Sequence, residues 1–150
     1  MCLAETFSLR PATAADFPEI KALIRQVRIN PIGLDWRRFT VAVNQGGGMI
    51  ACGQLKRVSG GLTELASLAV RPAYRYHGVA RALIEYLLAD APRPVYLTCR
   101  SGLGGLYERF GFHSLDSDEM PRYYRRLQRL AGLLMELARR EETLLVMKLG

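Results

Sequence analysis

The residues with the clearest chemical potential stand at Arg75-x-x-Gly78-x-Ala80, between the apolar run Leu65 to Val70 and the helical pattern Arg81 to Leu88. A strand that hands over to a helix through a glycine-bearing turn leaves several backbone N–H groups without internal acceptors. Glycine lets that backbone come close to a ligand, so the amides can surround oxygen anions. Arg71, Arg75 and Arg81 place positive charge at the same corner, and a diphosphate suits the arrangement. Taken alone, the turn also reads as an ordinary strand-to-helix connection.

Other reactive residue types are sparse. Cys2, Cys52 and Cys99 are odd in number and far apart, and His77 and His113 form no ligand pair with them, so neither a disulfide framework nor a metal site is suggested. Cys99 closes an apolar strand, where a cysteine is more often packing than a nucleophile. The net charge of +7 implies an anionic partner without choosing between nucleic acid and a phosphorylated cofactor.

The elements that must position these residues follow from hydrophobic period and turn chemistry. A length of 150 residues with 49% hydrophobic content fits one domain, residues 1–150, with a single core. No run approaches the ~18 apolar residues that a membrane span needs, and Met1 to Glu5 lacks the start of a secretory signal, so no membrane partner and a cytoplasmic location are expected. Phe7 to Arg10 alternates like a strand, and Thr13 with Asp16 resembles a capping arrangement before a helix to Val27. Thr40 to Asn44 and Met49 to Arg57 read as a hairpin around Gly46, Gly47 and Gly48, and Leu62 to Val70 as the next strand. After the turn and its helix come a compact strand Val95 to Cys99, a short helix through Phe110, a strand Phe112 to Leu115, a long helix Arg122 to Arg140 and a closing strand Thr143 to Leu149. A hairpin-rich first half followed by a βαβ second half predicts an α+β, or mixed α/β, sheet domain.

Leu68-Ala-Val70, the turn Arg75-Tyr-His-Gly-Val-Ala80 and the later Tyr107-Glu-Arg-Phe-Gly-Phe112 together resemble the GNAT superfamily of acetyl-CoA-dependent N-acetyltransferases. That family carries Gln/Arg-x-x-Gly-x-Gly/Ala after a strand and, further on, a tyrosine shortly before Gly-Phe. Both motifs occur in the expected order within Phe7 to Leu115. The resemblance implies a central, mostly antiparallel mixed sheet flanked by helices, with a V-shaped splay where Leu62 to Val70 bulges away from Val95 to Cys99.

It also implies roles. Leu68, Ala69 and Val70 would hold the pantetheine arm and polarise the acetyl carbonyl, while Arg75, Tyr76, His77, Gly78, Val79 and Ala80 would hold the pyrophosphate of acetyl-CoA. Tyr107 matches the tyrosine that protonates the departing thiolate in many members, although Leu103, Leu106, Tyr107 and Phe110 also read as a packing face. Glu64 stands where some relatives carry a general base, and it reads equally well as a solvent-facing glutamate at a strand start. Asp35 and Trp36 lie where relatives form part of the acceptor site, with Trp36 also a candidate core anchor.

The expected function is transfer of an acetyl group from acetyl-CoA to a primary amine, a small molecule or amino acid rather than a protein, by direct attack in a ternary complex and without a metal. The alternative is a non-catalytic CoA-binding module whose basic helix docks on nucleic acid or a protein, although nucleic acid is not the expected partner. The long helix, an insertion over about residues 119–141, departs from the simplest family layout. Tyr123, Leu127, Leu130, Leu134 and Leu137 form its apolar stripe, expected to pack on the sheet or on a second copy in a homodimer. Its arginines, Arg122, Arg125, Arg126, Arg129, Arg139 and Arg140, lie on or beside the opposite face.

Overall fold

A computed structural model describes residues 6–138 and 142–150 of the chain, so Cys2, Arg139 and Arg140 lie outside the described residues. The described residues form seven strands, β1 (Ser8–Pro11), β2 (Phe39–Val43), β3 (Met49–Val58), β4 (Leu62–Val70), β5 (Val95–Arg100), β6 (His113–Ser114) and β7 (Leu144–Leu149), and four α-helices. The helices are α1 (Phe17–Gln26), α2 (Val79–Ala89), α3 (Gly104–Glu108) and α4 (Arg122–Leu137). Hydrogen bonding follows the order β1-β2-β3-β4-β5-β7-β6. This is the mixed, mostly antiparallel α+β sheet with flanking helices that the sequence predicts. Packing divides the described chain into two compact units, residues 6–56 with 65–91, and residues 57–64 with 92–138 and 142–150.

In the first unit, β2 (Phe-Thr-Val-Ala-Val) is buried throughout and pairs antiparallel with β1 and β3. Alternation along β2 sends Val41 toward Ile20, Leu23 and Ile24 of α1, and Ala42 toward Val79 and Leu83 of α2, so the helices cover opposite faces. Each fully buried leucine or isoleucine in these clusters contributes roughly 1.5–3 kcal/mol by leaving water. The expected capping arrangement closes the 3-10 turn Ala14–Asp16 that leads into α1, where the Asp16 carboxylate accepts the Thr13 N–H at 2.7 Å. Asp16 also receives both Arg10 guanidinium nitrogens, at 2.7 and 2.9 Å.

In the second unit, β5 runs antiparallel to β7 from Val95↔Leu149 to Arg100↔Leu144. Its parallel ladder with β4 consists of Thr63↔Val95 and Glu64↔Tyr96. Tyr124 of α4 is fully buried among Tyr96, Leu115, Met120 and Val146, with Leu62, Tyr123 and Leu127 partly buried around it. This bears on one of the two predicted packings of the stripe, the one against the sheet. Helix α4 is anchored by Tyr124 rather than Tyr123, and Leu130, Leu134 and Leu137 stay exposed, as does Leu133, so the stripe does not pack on the sheet beyond Leu127. The physical reason is geometric: the packed contacts of α4 come from its N-terminal half, where Tyr124 enters the cluster on β5 and β7, and not from the leucines of its last turns.

Candidate active site

The turn after β4 takes a conformation suited to anions. Pro72–Tyr74 form one turn of 3-10 helix, Tyr76 has φ of +67° and Gly78 has φ of +80°, after which α2 begins at Val79. No neighbour lies within 4 Å of a Cβ built on Gly78, so it is the left-handed backbone and not crowding that favours glycine there. Left-handed residues close together turn successive N–H groups to one side, and the first N–H groups of α2 have no intrahelical acceptor. Arg75, Tyr76, His77 and Gly78 are exposed, Val79 is buried and Ala80 is half-buried.

Two of the three arginines assigned to this corner are engaged elsewhere. Arg71 donates from Nε to the Met49 carbonyl and sits 3.8 Å from Glu19, while Arg81 pairs with Glu85 one turn along α2 at 3.0 Å. Arg75 has no carboxylate partner among the described residues. It is the cation of this corner left for a ligand.

In the second unit, Tyr107 lies near the end of α3, half-buried, with its ring edge-on to Phe112 at 6.2 Å between centroids. Its carbonyl accepts the N–H groups of Phe110 and Phe112, which folds the Tyr107 to Phe112 motif into a compact corner. Burial first, and the nearby Cys99 second, push its phenol up to about 12. It is therefore protonated at neutral pH and able to give a proton.

Glu64 occupies the end of the β4–β5 ladder and is buried, not solvent-facing. The Tyr124 hydroxyl donates to Glu64 Oε2, and Tyr124 stacks on Tyr96 at 5.3 Å with Tyr123 edge-on to it at 4.9 Å. Burial, and then the Glu64 charge, hold the Tyr124 phenol far above the ordinary tyrosine range. The arrangement is a carboxylate with a neutral donor fixed against it.

A family model, the acetyltransferase (GNAT) domain, matches residues 35–114, more than half of the chain. The chain belongs to the GNAT family. No curated protein sequence matches it. Among solved structures, N-acetylglutamate synthase from Neisseria gonorrhoeae, complexed with coenzyme A and N-acetyl-glutamate, is 23% identical with a TM-score of 0.73. That match covers 97% of this chain and 35% of the synthase, so the chain spans about a third of that protein's length. Rv2747 from Mycobacterium tuberculosis, in complex with CoA and a second ligand, is 22% identical with a TM-score of 0.69 over 93% of this chain and 97% of that one. NAA60 of Arabidopsis thaliana, with a bisubstrate analogue, is 22% identical with a TM-score of 0.58 over 74% of this chain and 86% of its own. At these identities the likeness is one of fold.

Several remaining residues of the GNAT domain have structural employment. Asp35 accepts the Arg37 N–H at 3.0 Å and so caps the 3-10 turn Trp36–Arg38, with the Arg37 and Arg38 side chains at 3.8 and 4.0 Å. Trp36 packs against the α1 cluster, under the Arg37 guanidinium at 5.4 Å. Cys99 is buried 3.9 Å from the Met147 sulfur, and burial pushes its thiol up to about 11, so little thiolate exists for nucleophilic attack at neutral pH.

Around β4 of the GNAT domain, Ser67 has φ of +57°, a left-handed residue inside the strand. It marks the kind of local irregularity that the predicted bulge requires. Fully buried Gln54 donates to Ser67 Oγ at 2.8 Å, and its Oε1 has no hydrogen-bond partner among the described residues. Leu68 is half-buried, Ala69 buried and Val70 half-buried, and Leu68 approaches within 3.2 Å of where a Gly53 Cβ would be. Gly53 thus allows Leu68 and Leu87 to close over β3. Sequence reasoning missed Gln54 and Tyr124; the adjacent tyrosines after Met120-Pro121 were the available signal for the latter. Among the described residues no group of three or more metal-binding side chains occurs, and no helix is long and apolar enough to cross a membrane.

Proposed function

We propose that residues 1–150 act as one acetyltransferase domain that transfers an acetyl group from acetyl-CoA to a primary amine, a small molecule or amino acid, by direct attack in a ternary complex. The observations that carry this reading are the anion-suited turn Arg75 to Ala80 and a half-buried, protonated Tyr107, both present in a chain of the GNAT family. The CoA-bound state of the N. gonorrhoeae and M. tuberculosis proteins supports the same donor.

Bound acetyl-CoA supplies a thioester carbonyl and a leaving thiolate. The backbone N–H groups around Tyr76, Gly78 and the start of α2, with Arg75, hold the pyrophosphate, and the Leu68 to Val70 backbone orients the acyl arm. Glu64 accepts a proton from the acceptor's ammonium, directly or through water, which frees the nitrogen lone pair. As the new N–C bond forms and the C–S bond breaks, Tyr107 gives its phenolic proton to the sulfur. The nitrogen, positively charged after attack, gives its second proton to water, the phenolate recovers a proton from solvent, and Glu64 releases the first proton to solvent before the next turnover.

Purified protein titrated with acetyl-CoA tests the donor assignment. Unfolding should move to higher temperature, with about 2.7 kcal/mol of added stability at a hundredfold excess over Kd. A folded protein with no shift at any acetyl-CoA concentration contradicts it.

A further inference from the structure

The second unit contains a cavity of about 610 Å³ between the Ser59–Gly60 turn and the first turns of α4. Leu62, Tyr123, Leu127 and Leu130 give it apolar walls, and Arg122 and Arg126 are the charged side chains that line it. Four residues apart on one helix, the two guanidinium groups lie on the same face. Neither has a carboxylate partner among the described residues, whereas Arg10, Arg81 and Arg100 each have one. The N–H groups of Arg122 and Tyr123 also open α4 without intrahelical acceptors, which adds positive potential at the same end.

Glu64 stands on the strand that supplies one cavity wall, buried and outside the cavity lining. Leu62 and Glu64 are two apart in β4 and so project from the same face of the strand. The Tyr123 phenol is raised by burial and then by the Glu64 charge, which places this wall residue within the field of that carboxylate. A ligand here meets apolar surface along its length and two planar guanidinium forks on the α4 side. That is the complement of a small molecule with an apolar body and a carboxylate, the carboxylate lying toward the arginines.

We infer that Arg122 and Arg126 form a carboxylate-recognition site, and that the acceptor is an amine that itself carries a carboxylate. The role as acceptor site rests on the acetyl-transfer reading; the capacity to bind a carboxylate does not.

The test is calorimetric titration of the full chain with N-acetyl derivatives of leucine, phenylalanine, glutamine and glutamate, each beside its C-terminal amide. At least one acid should bind about tenfold or more tightly than its amide. Arg126→Gln should lose that preference, and Arg125→Gln, on α4 but outside the cavity lining, should keep it. Equal binding of acids and amides, no binding of either, or a preference that survives Arg122→Gln with Arg126→Gln overturns the inference. A preference that behaves as expected in a protein that binds no acetyl-CoA removes the acetyl-transfer reading instead and leaves the carboxylate site standing.

Discussion

The Tyr124 hydroxyl donates a hydrogen bond to Glu64 Oε2 across a sequence separation of 60 residues, and both side chains are buried. One comes from α4 and the other from β4, so the contact ties the helix inserted before the last strand to the carboxylate assigned to proton transfer. A hydrogen-bond donor on a carboxylate favours its charged form.

Tyr124→Phe removes that donor while keeping the ring stacked on Tyr96. The acid limb of kcat/KM against pH should move to higher pH, because Glu64 then holds its proton more firmly. A purely structural role would lower stability, by about 1–3 kcal/mol for a buried group left unpaired, and leave the limb in place. The pH profile of the folded variant separates the two.

Tyr107→Phe should lower kcat by about 10² or more while the acetyl-CoA Kd stays nearly constant. With its phenol pushed up to about 12, Tyr107 keeps its proton through the usual assay range, so the wild-type rate should show no descending limb from this group below about pH 10. Stopped-flow or steady-state release of CoA thiol measures both.

Gly78→Ala isolates the backbone requirement of the phosphate turn. With φ of +80° and no atom near the added Cβ, the cost is conformational, about 1 kcal/mol in folding. Acetyl-CoA affinity should fall as the turn relaxes. Chemical unfolding and calorimetric titration give the two numbers.

Asp16 gives a pH dependence of stability away from the site. The Arg10 guanidinium first, with the Thr13 N–H assisting, holds its carboxyl down to about 2 from an ordinary 3.8. A depressed carboxyl stabilises the fold above its unfolded value and loses that contribution as pH falls through the folded one. Asp16→Asn should therefore cost about 1 kcal/mol at neutral pH, with the difference from wild type vanishing as pH falls from about 4 to about 2. Urea midpoints across that interval report it.

Local pattern carried the fold further than it carried the partners of individual side chains. Leu62–Val70 is a strand with the bounds its apolar run and the preceding glycines indicate, and the closing strand, the hairpin and helices α1, α2 and α4 follow period and turn chemistry. Arg71 shows the limit. Its charge beside the turn suggested a phosphate ligand, but the Met49 carbonyl, 22 positions earlier, takes its Nε–H, and only the folded sheet reveals that neighbour. In α4 the leucine spacing pointed to a stripe from Tyr123 to Leu137 that packs on the sheet or on a second copy. Burial instead depends on where the helix meets β5 and β7, which selects Tyr124 and leaves Leu130, Leu134 and Leu137 exposed.

The most direct measurement is CoA thiol release from acetyl-CoA by the purified protein with a panel of primary amines, with the acetylated amine quantified alongside. The account predicts amine-dependent release, one acetylated amine per thiol, and loss of about 10² or more in rate on Tyr107→Phe. A folded protein that releases no thiol above the buffer rate with any amine would contradict it.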